Sequence, residues 1–185
     1  MNESNVIADL HRGLGIPADY AARTGLVQQR TPEDLVDIGV DVFDRPQRLR
    51  IDAADAWTKL VEGASLDGVT VQLVSGYRSL EYQVDLIRGN VESGKSIDEI
   101  LTRIAAPGYS EHQGGCAVDV ASPGVDPLTE TFEETQTFLW LAASADDYQF
   151  ALSYPRDNPY GVIYEPWHWC HRPVEQESMG SVESV

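Results

Sequence analysis

Ser110-Glu111-His112-Gln113-Gly114-Gly115-Cys116-Ala117-Val118-Asp119 sets an imidazole and a carboxylate on either side of a double glycine. Gly114-Gly115 breaks the chain, so His112 and Asp119 need not lie on one straight strand. Beyond the break, residues 116–120 read as a short strand. Ala117 and Asp119 share one face, and Cys116, Val118 and Val120 share the other, so Cys116 is expected to face away from Asp119 and pack in the core. A carboxylate in so apolar a run is costly unless something cationic meets it.

Working outward, a second such pair lies far downstream in Glu165-Pro166-Trp167-His168. Pro166 argues against a helix interior, so this is not a helical HExxH read backwards. A strand entering a bend at Pro166 would let both side chains converge on one point. A catalytic zinc site takes three N or O ligands and keeps one position open. His112, Asp119 and His168 are candidates for the three, with Glu165 as a base for water. Spacing alone leaves the alternative of surface or hydrogen-bonded core histidines, and it does not say which carboxylate is ligand and which is base.

Ser-x-His-x-x-Gly-x-Ala-x-Asp followed by Glu-Pro-Trp-His-Trp resembles the VanY-type D-alanyl-D-alanine carboxypeptidases. These are zinc peptidases whose relatives include LdcB-like L,D-carboxypeptidases and some phage endolysins. Ser75-Gly76-Tyr77-Arg78-Ser79 with Gln83, Pro107-Gly108-Tyr109-Ser110-Glu111-His112, and Ser153-Tyr154-Pro155 fit the same pattern in the same order. The likeness runs from about Leu35 to Arg172. It implies one zinc ion bound by His112, Asp119 and His168, with Glu165 as general base. It also implies that Arg78 holds the substrate or stabilises the oxyanion, and that Ser110, Gln83 and Tyr154 contact a peptide derived from peptidoglycan. The family usually has Arg after Trp-His-Trp. Here Cys170 stands there, followed by His171, and either is a possible further ligand.

Composition sets outer bounds. A chain of 185 residues with 42% hydrophobic content and four Trp is expected to bury a core as one domain. Thirteen basic against thirty acidic residues, a formal charge of −17, disfavour nucleic-acid binding. The same charge repels a peptide ending in a carboxylate, so the site needs a local cation. Residues 1–10 lack a basic and an apolar signal region, and no run approaches a membrane span, so a cytoplasmic monomer is the expectation, with periplasm or cell wall if the chain is trimmed or exported. Two cysteines do not make a disulfide scaffold, and free buried thiols are expected.

Along the chain, residues 1–34 read as a helical arm with helices near 5–14 and 17–24 and an exposed His11. Residues 35–43 read as a strand or extended loop leading toward the site. A helix over 52–64, capped by Asp52, buries Trp57, Leu60, Val61 and Ala64. Residues 69–74 read as a central strand that delivers Arg78. Ser79 caps a helix to about Val91 with Tyr82, Gln83 and Leu86 inward, and Ser96 to Glu99 opens another. A capping box at Thr131–Glu134 starts a helix to about Ala145. Residues 150–153 and 162–164 read as strands, the latter carrying Glu165, and the tail from Val174 reads as disordered.

The fold class expected is α+β, a small antiparallel sheet carrying the ligands flanked by helices. The resemblance adds the hedgehog and D-Ala-D-Ala-peptidase type, with residues 35–173 as the peptidase domain. The implied activity is zinc-dependent hydrolysis of D-amino-acid-containing bonds of stem peptides. Alternatives are an L,D-carboxypeptidase, a cell-wall endopeptidase, or a non-catalytic zinc-containing binding module.

Overall fold

The apolar run after the double glycine forms strand β4 (Ala117–Ala121), buried at all five positions, as expected for a strand with neighbours on both sides. The computed structural model describes residues 3–173, so the tail from Val174 lies outside the described residues. Its main sheet has the order β3-β4-β6-β5, where β3 is Gln72–Ser75, β5 is Phe150–Leu152 and β6 is His168–His171. Every pairing is antiparallel. A separate hairpin pairs β1 (Leu35–Val40) with β2 (Pro46–Arg50). Helices α1 (Glu3–Leu14), α2 (Tyr20–Thr24), α3 (Ile51–Leu66), α4 (Leu80–Glu92), α5 (Ile97–Leu101) and α6 (Gln136–Ser144) complete the α+β arrangement.

Alternation divides the sheet. Leu73, Val118, Val120, Phe150 and Trp169 join Trp57 and Leu60 of α3 and Leu141 of α6 in one core. The opposite face, bearing Asp119 and His168, is left for chemistry. A second apolar cluster of Ile16, Tyr20, Ile87, Ile100 and Ala106 ties α2, α4 and α5 together.

Several expectations are corrected. The strand ending at Ser75 is an edge strand, not a central one. Asp52 is not the cap of α3; that position is Arg50, whose Nε donates to Asp52 Oδ1 at 2.6 Å. Residues 131–134 fall in a 3-10 turn (Glu130–Glu134), and Thr135 caps α6 by accepting from Phe138 N. Residues 162–164 form no strand, since Ile163 N is spent on the carbonyl of Thr102 at 2.9 Å. His11 is half-buried, with Nε2 2.7 Å from the Pro107 carbonyl and its ring against Tyr20 and Tyr109. The N-terminal helices thus buttress the loop that leads to Ser110.

The hairpin clamps the sheet. Val42 N donates to Leu73 O (2.9 Å), Tyr77 N to Arg48 O (2.8 Å) and Arg50 N to Gly115 O (3.0 Å). Its turn is organised by buried Asp41. One carboxylate oxygen accepts from Phe43 N (2.8 Å) and Arg45 N (3.1 Å), the other from Arg45 Nε (2.7 Å) and Gln47 Nε2 (2.7 Å). Burial opposes that charge, but these donors outweigh it and hold the carboxyl below its ordinary range. Asp41→Ala is therefore expected to cost about 1–3 kcal/mol in denaturant unfolding. A lowered pKa contributes stability above the ordinary carboxyl range and loses it as pH falls, so the gap between wild type and variant narrows in acid. Equal unfolding midpoints at neutral pH would discount this role of Asp41.

Candidate metal centre

Strand register does the first part of the assembly. Asp119 pairs with His168 across β4 and β6, so carboxylate and imidazole emerge side by side on one face. His112 arrives from the turn before β4, where Gly115 adopts φ +65° and a Cβ there would crowd Arg50 N at 3.1 Å. Only glycine takes that turn without strain. One ligand atom from each of His112, Asp119 and His168 lies within 4.8 Å of the others, and all three residues are buried.

Hydrogen bonds then aim the rings. His112 Nδ1 sits 2.7 Å from the Gly76 carbonyl, which only accepts, so Nδ1 carries the proton and Nε2 is a bare lone pair. That Nε2 is buried without a hydrogen-bond partner and lies 3.2 Å from Asp119 Oδ1. His168 has Nδ1 3.1 Å from Asp119 Oδ1 and Nε2 2.9 Å from Glu111 Oε2. Arg172 Nη2 donates to the other Glu111 oxygen at 3.0 Å. An orphaned imidazole nitrogen, a carboxylate and a second imidazole backed by a carboxylate make a donor set that fits a divalent cation.

The charges tell the same story. Burial and the Arg78 charge pull His112 down to about 4, so it is neutral. Burial opposes a proton on His168 as well, but its hydrogen bonds to Asp119 and Glu111 push it up to about 10. Burial works against the Glu111 charge, yet His168 brings that carboxyl down to about 2. Asp119 is held well below the carboxylate range, against its burial, by the neighbouring imidazole and Arg78.

Of the other residues singled out by sequence, Arg78 ion-pairs Asp119 Oδ2 through Nη2 and gives Nε to Ser75 Oγ at 2.9 Å. Glu165 is 7% exposed, and its side chain has no hydrogen bond among the described residues. Burial lifts it to about 7, with Asp119 adding to the effect. Glu165, Arg78, Ser110, Gln83 and Tyr154 all line one cleft of about 380 Å³ that opens onto His112, Asp119 and His168. Gln83 gives Nε2 to Ala105 O at 2.8 Å while its Oε1 is buried without a partner. The Tyr154 ring lies 4.9 Å from that of His168. Tyr82, expected to point inward, is 46% exposed on the rim.

Neither residue after Trp169 joins the ligands. His171 turns to Gln149 Oε1 at 3.1 Å. Cys170 Sγ meets Cys116 Sγ at 3.1 Å, and both thiols are free and buried. Cys116 is packed in an apolar cluster with Ala117 and Cys170, as expected of a buried free thiol, but its sulfur lies on the face shared by Asp119 and His168, because it precedes β4 and escapes the strand alternation. Sequence reasoning missed Glu111 and Arg172 as supports of His168, and the Gly76 carbonyl. Glu111 carried one signal: a carboxylate beside a candidate ligand in an otherwise apolar setting.

Residues 46–174 match the family model VanY, D-alanyl-D-alanine carboxypeptidase. A putative carboxypeptidase of Bacillus subtilis, YodJ, is 32% identical over 90% of this chain and 60% of its own length. A D-alanyl-D-alanine carboxypeptidase of Enterococcus faecalis is 29% identical over 75% of this chain and 54% of its own. The chain therefore spans between half and two thirds of these curated relatives. Among solved structures, the LdcB LD-carboxypeptidase superposes with a TM-score of 0.68 at 33% identity, covering 77% of this chain and 69% of that one. A VanY D,D-pentapeptidase variant in complex with Zn(II) gives 0.62 at 27% identity, covering 80% and 84%.

Glu111→Gln removes the charge that backs His168, and the expected outcome is a 10- to 100-fold (order of magnitude) loss of zinc affinity against a chromophoric chelator. Unchanged affinity would show that Glu111 does not tune the ligand.

Proposed function

Because this chain belongs to the VanY D-alanyl-D-alanine carboxypeptidase family, we propose that it is a zinc peptidase that trims the stem peptides of peptidoglycan. The observation that carries this reading is the convergence of His112, Asp119 and His168 beside an unpaired, buried Glu165 in a single cleft. The two imidazoles and Asp119 would hold one zinc ion. When bound, zinc polarises the scissile carbonyl and makes water more acidic.

Glu165 then acts as general base and, after attack, hands the proton to the leaving amine. Burial poises its carboxyl near neutrality, where it can both take and return a proton. Arg78 has two of its nitrogens engaged by Ser75 and Asp119, which orients the guanidinium while Nη1 is left for the oxyanion. Ser110, Gln83 and Tyr154 would contact the peptide. Residues 35–173 would form the catalytic unit, with the N-terminal helices as a supporting arm. No helix among the described residues is long and apolar enough to cross a membrane. A binding module without turnover is the weaker reading, since no fourth protein ligand joins the group of three among the described residues.

The similarity to LdcB, an LD-carboxypeptidase by its description, favours a second reading of the bond cut. Incubating the zinc-loaded protein with defined tetrapeptide and pentapeptide stems and weighing the products separates the two. Loss of alanine from the pentapeptide alone signifies D,D cleavage, and loss from the tetrapeptide L,D cleavage. No cleavage of either would discard the peptidase reading.

Glu165→Gln is expected to keep its zinc and lose turnover by at least about 100-fold; wild-type turnover would remove the base assignment. His112→Ala is expected to lose the metal itself, checked by elemental analysis of the purified variant.

A further inference from the structure

Three arginines line the cleft: Arg45, Arg78 and Arg103. Arg45 is committed to Asp41 and to the Val74 carbonyl at 3.1 Å, and Arg78 to Asp119 and Ser75. The Arg103 side chain has neither a hydrogen bond nor an ion pair among the described residues. Arg103 is exposed at the cleft wall, and in a chain of net charge −17 it is a cation free to meet an anion entering the cleft.

Its placement is firm. Arg103 follows α5, and its backbone N donates to Ile100 O at 3.0 Å. On one side Thr102 O accepts Ile163 N at 2.9 Å, which ties the loop to the segment carrying Glu165. On the other side Ala105 O accepts Gln83 Nε2. The charge of Arg103 is felt at Glu165, where it works against burial and lowers the carboxyl's pKa. Glu165 is the group assigned to protonate the leaving amine. In a carboxypeptidase the leaving residue carries its carboxylate one carbon away from that nitrogen.

We propose that Arg103 receives the free C-terminal carboxylate of the substrate and thereby restricts the enzyme to the last residue of a peptide. This rests on the peptidase reading above. It divides two tasks between two cations, with Arg78 facing the oxyanion and Arg103 facing the terminal carboxylate. A guanidinium fork binds a carboxylate through two parallel hydrogen bonds, and a peptide that continues past the scissile bond has no carboxylate to offer.

The test uses the full zinc-loaded chain and one stem pentapeptide prepared with a free carboxylate and with a C-terminal carboxamide. In a Glu165→Gln background, calorimetry is expected to show that adding Arg103→Ala weakens binding of the carboxylate peptide by about 10- to 100-fold. Carboxamide binding should stay unchanged, and Arg103→Lys should recover part of the loss. In hydrolysis, Arg103→Ala should raise KM for the carboxylate peptide more than it lowers kcat. If wild type cleaves the peptide and Arg103→Ala keeps the same preference for carboxylate over carboxamide, the Arg103 assignment is overturned and the peptidase reading stands. If nothing is cleaved but the Arg103-dependent binding difference appears, the peptidase reading falls and the carboxylate site stands. If the parent binds neither peptide, both are overturned.

Discussion

The bond from His112 Nδ1 to the Gly76 carbonyl is the constraint on which the site depends. It fixes the tautomer and leaves Nε2 facing Asp119. It needs the Gly76 carbonyl held still, and the hairpin does that. Gly76 N donates to Gln47 Oε1 at 2.9 Å, and Tyr77 N to Arg48 O at 2.8 Å. The approach is so close that a Cβ on residue 76 would stand 2.7 Å from the Arg48 carbonyl oxygen, which backbone atoms cannot accommodate. Glycine in Ser75-Gly76-Tyr77-Arg78 is thus a packing requirement, and the hairpin remote from the ligands in sequence is part of the metal site.

Charge is arranged with comparable economy. Asp119, Glu111, His112 and His168 are all buried or nearly so, and isolated charges there would be prohibitive. They are tolerable because each negative oxygen meets a donor: Asp119 meets Arg78 and His168, and Glu111 meets His168 and Arg172. The arrangement leaves Glu165 as the carboxyl with no direct donor, and it is the one raised toward neutrality. Two carboxyl groups within one cleft therefore have opposite environments, one ion-paired and one without a donor, which is the separation that the proposed ligand and base roles require. Spacing in the sequence could not make that separation.

What could be read from the chain follows from which signals are local. The buried strand, read at 116–120 and found at 117–121, the α3 stripe of Trp57, Leu60 and Ala64, and the caps at Ser79 and Ser96 depend on near neighbours and were legible. The convergence of His112, Asp119 and His168 was legible because glycine and proline breaks, together with motif order, carry information about which segments meet. Partners set by tertiary approach were not legible. His11 finds the Pro107 carbonyl across 96 positions. Residues 162–164 look like a strand by composition, but Ile163 N is taken by a loop carbonyl and no neighbouring strand is offered.

The departure at Cys170 is resolved by the same strand periodicity. Residues 168, 170 and 172 recur on one face at about 6.8 Å per pair. His168 reaches the ligand cluster, and Cys170 lies opposite Ala117, where its thiol meets Cys116 instead of the metal group. One repeat further, Arg172 is held beside β5 by its N–H to Gln149 O at 2.7 Å and sends its long side chain back to Glu111. The long arginine side chain lets Arg172 reach Glu111 from two positions beyond Cys170. Arg172 is the cation that meets Glu111, and the two buried thiols pack against each other.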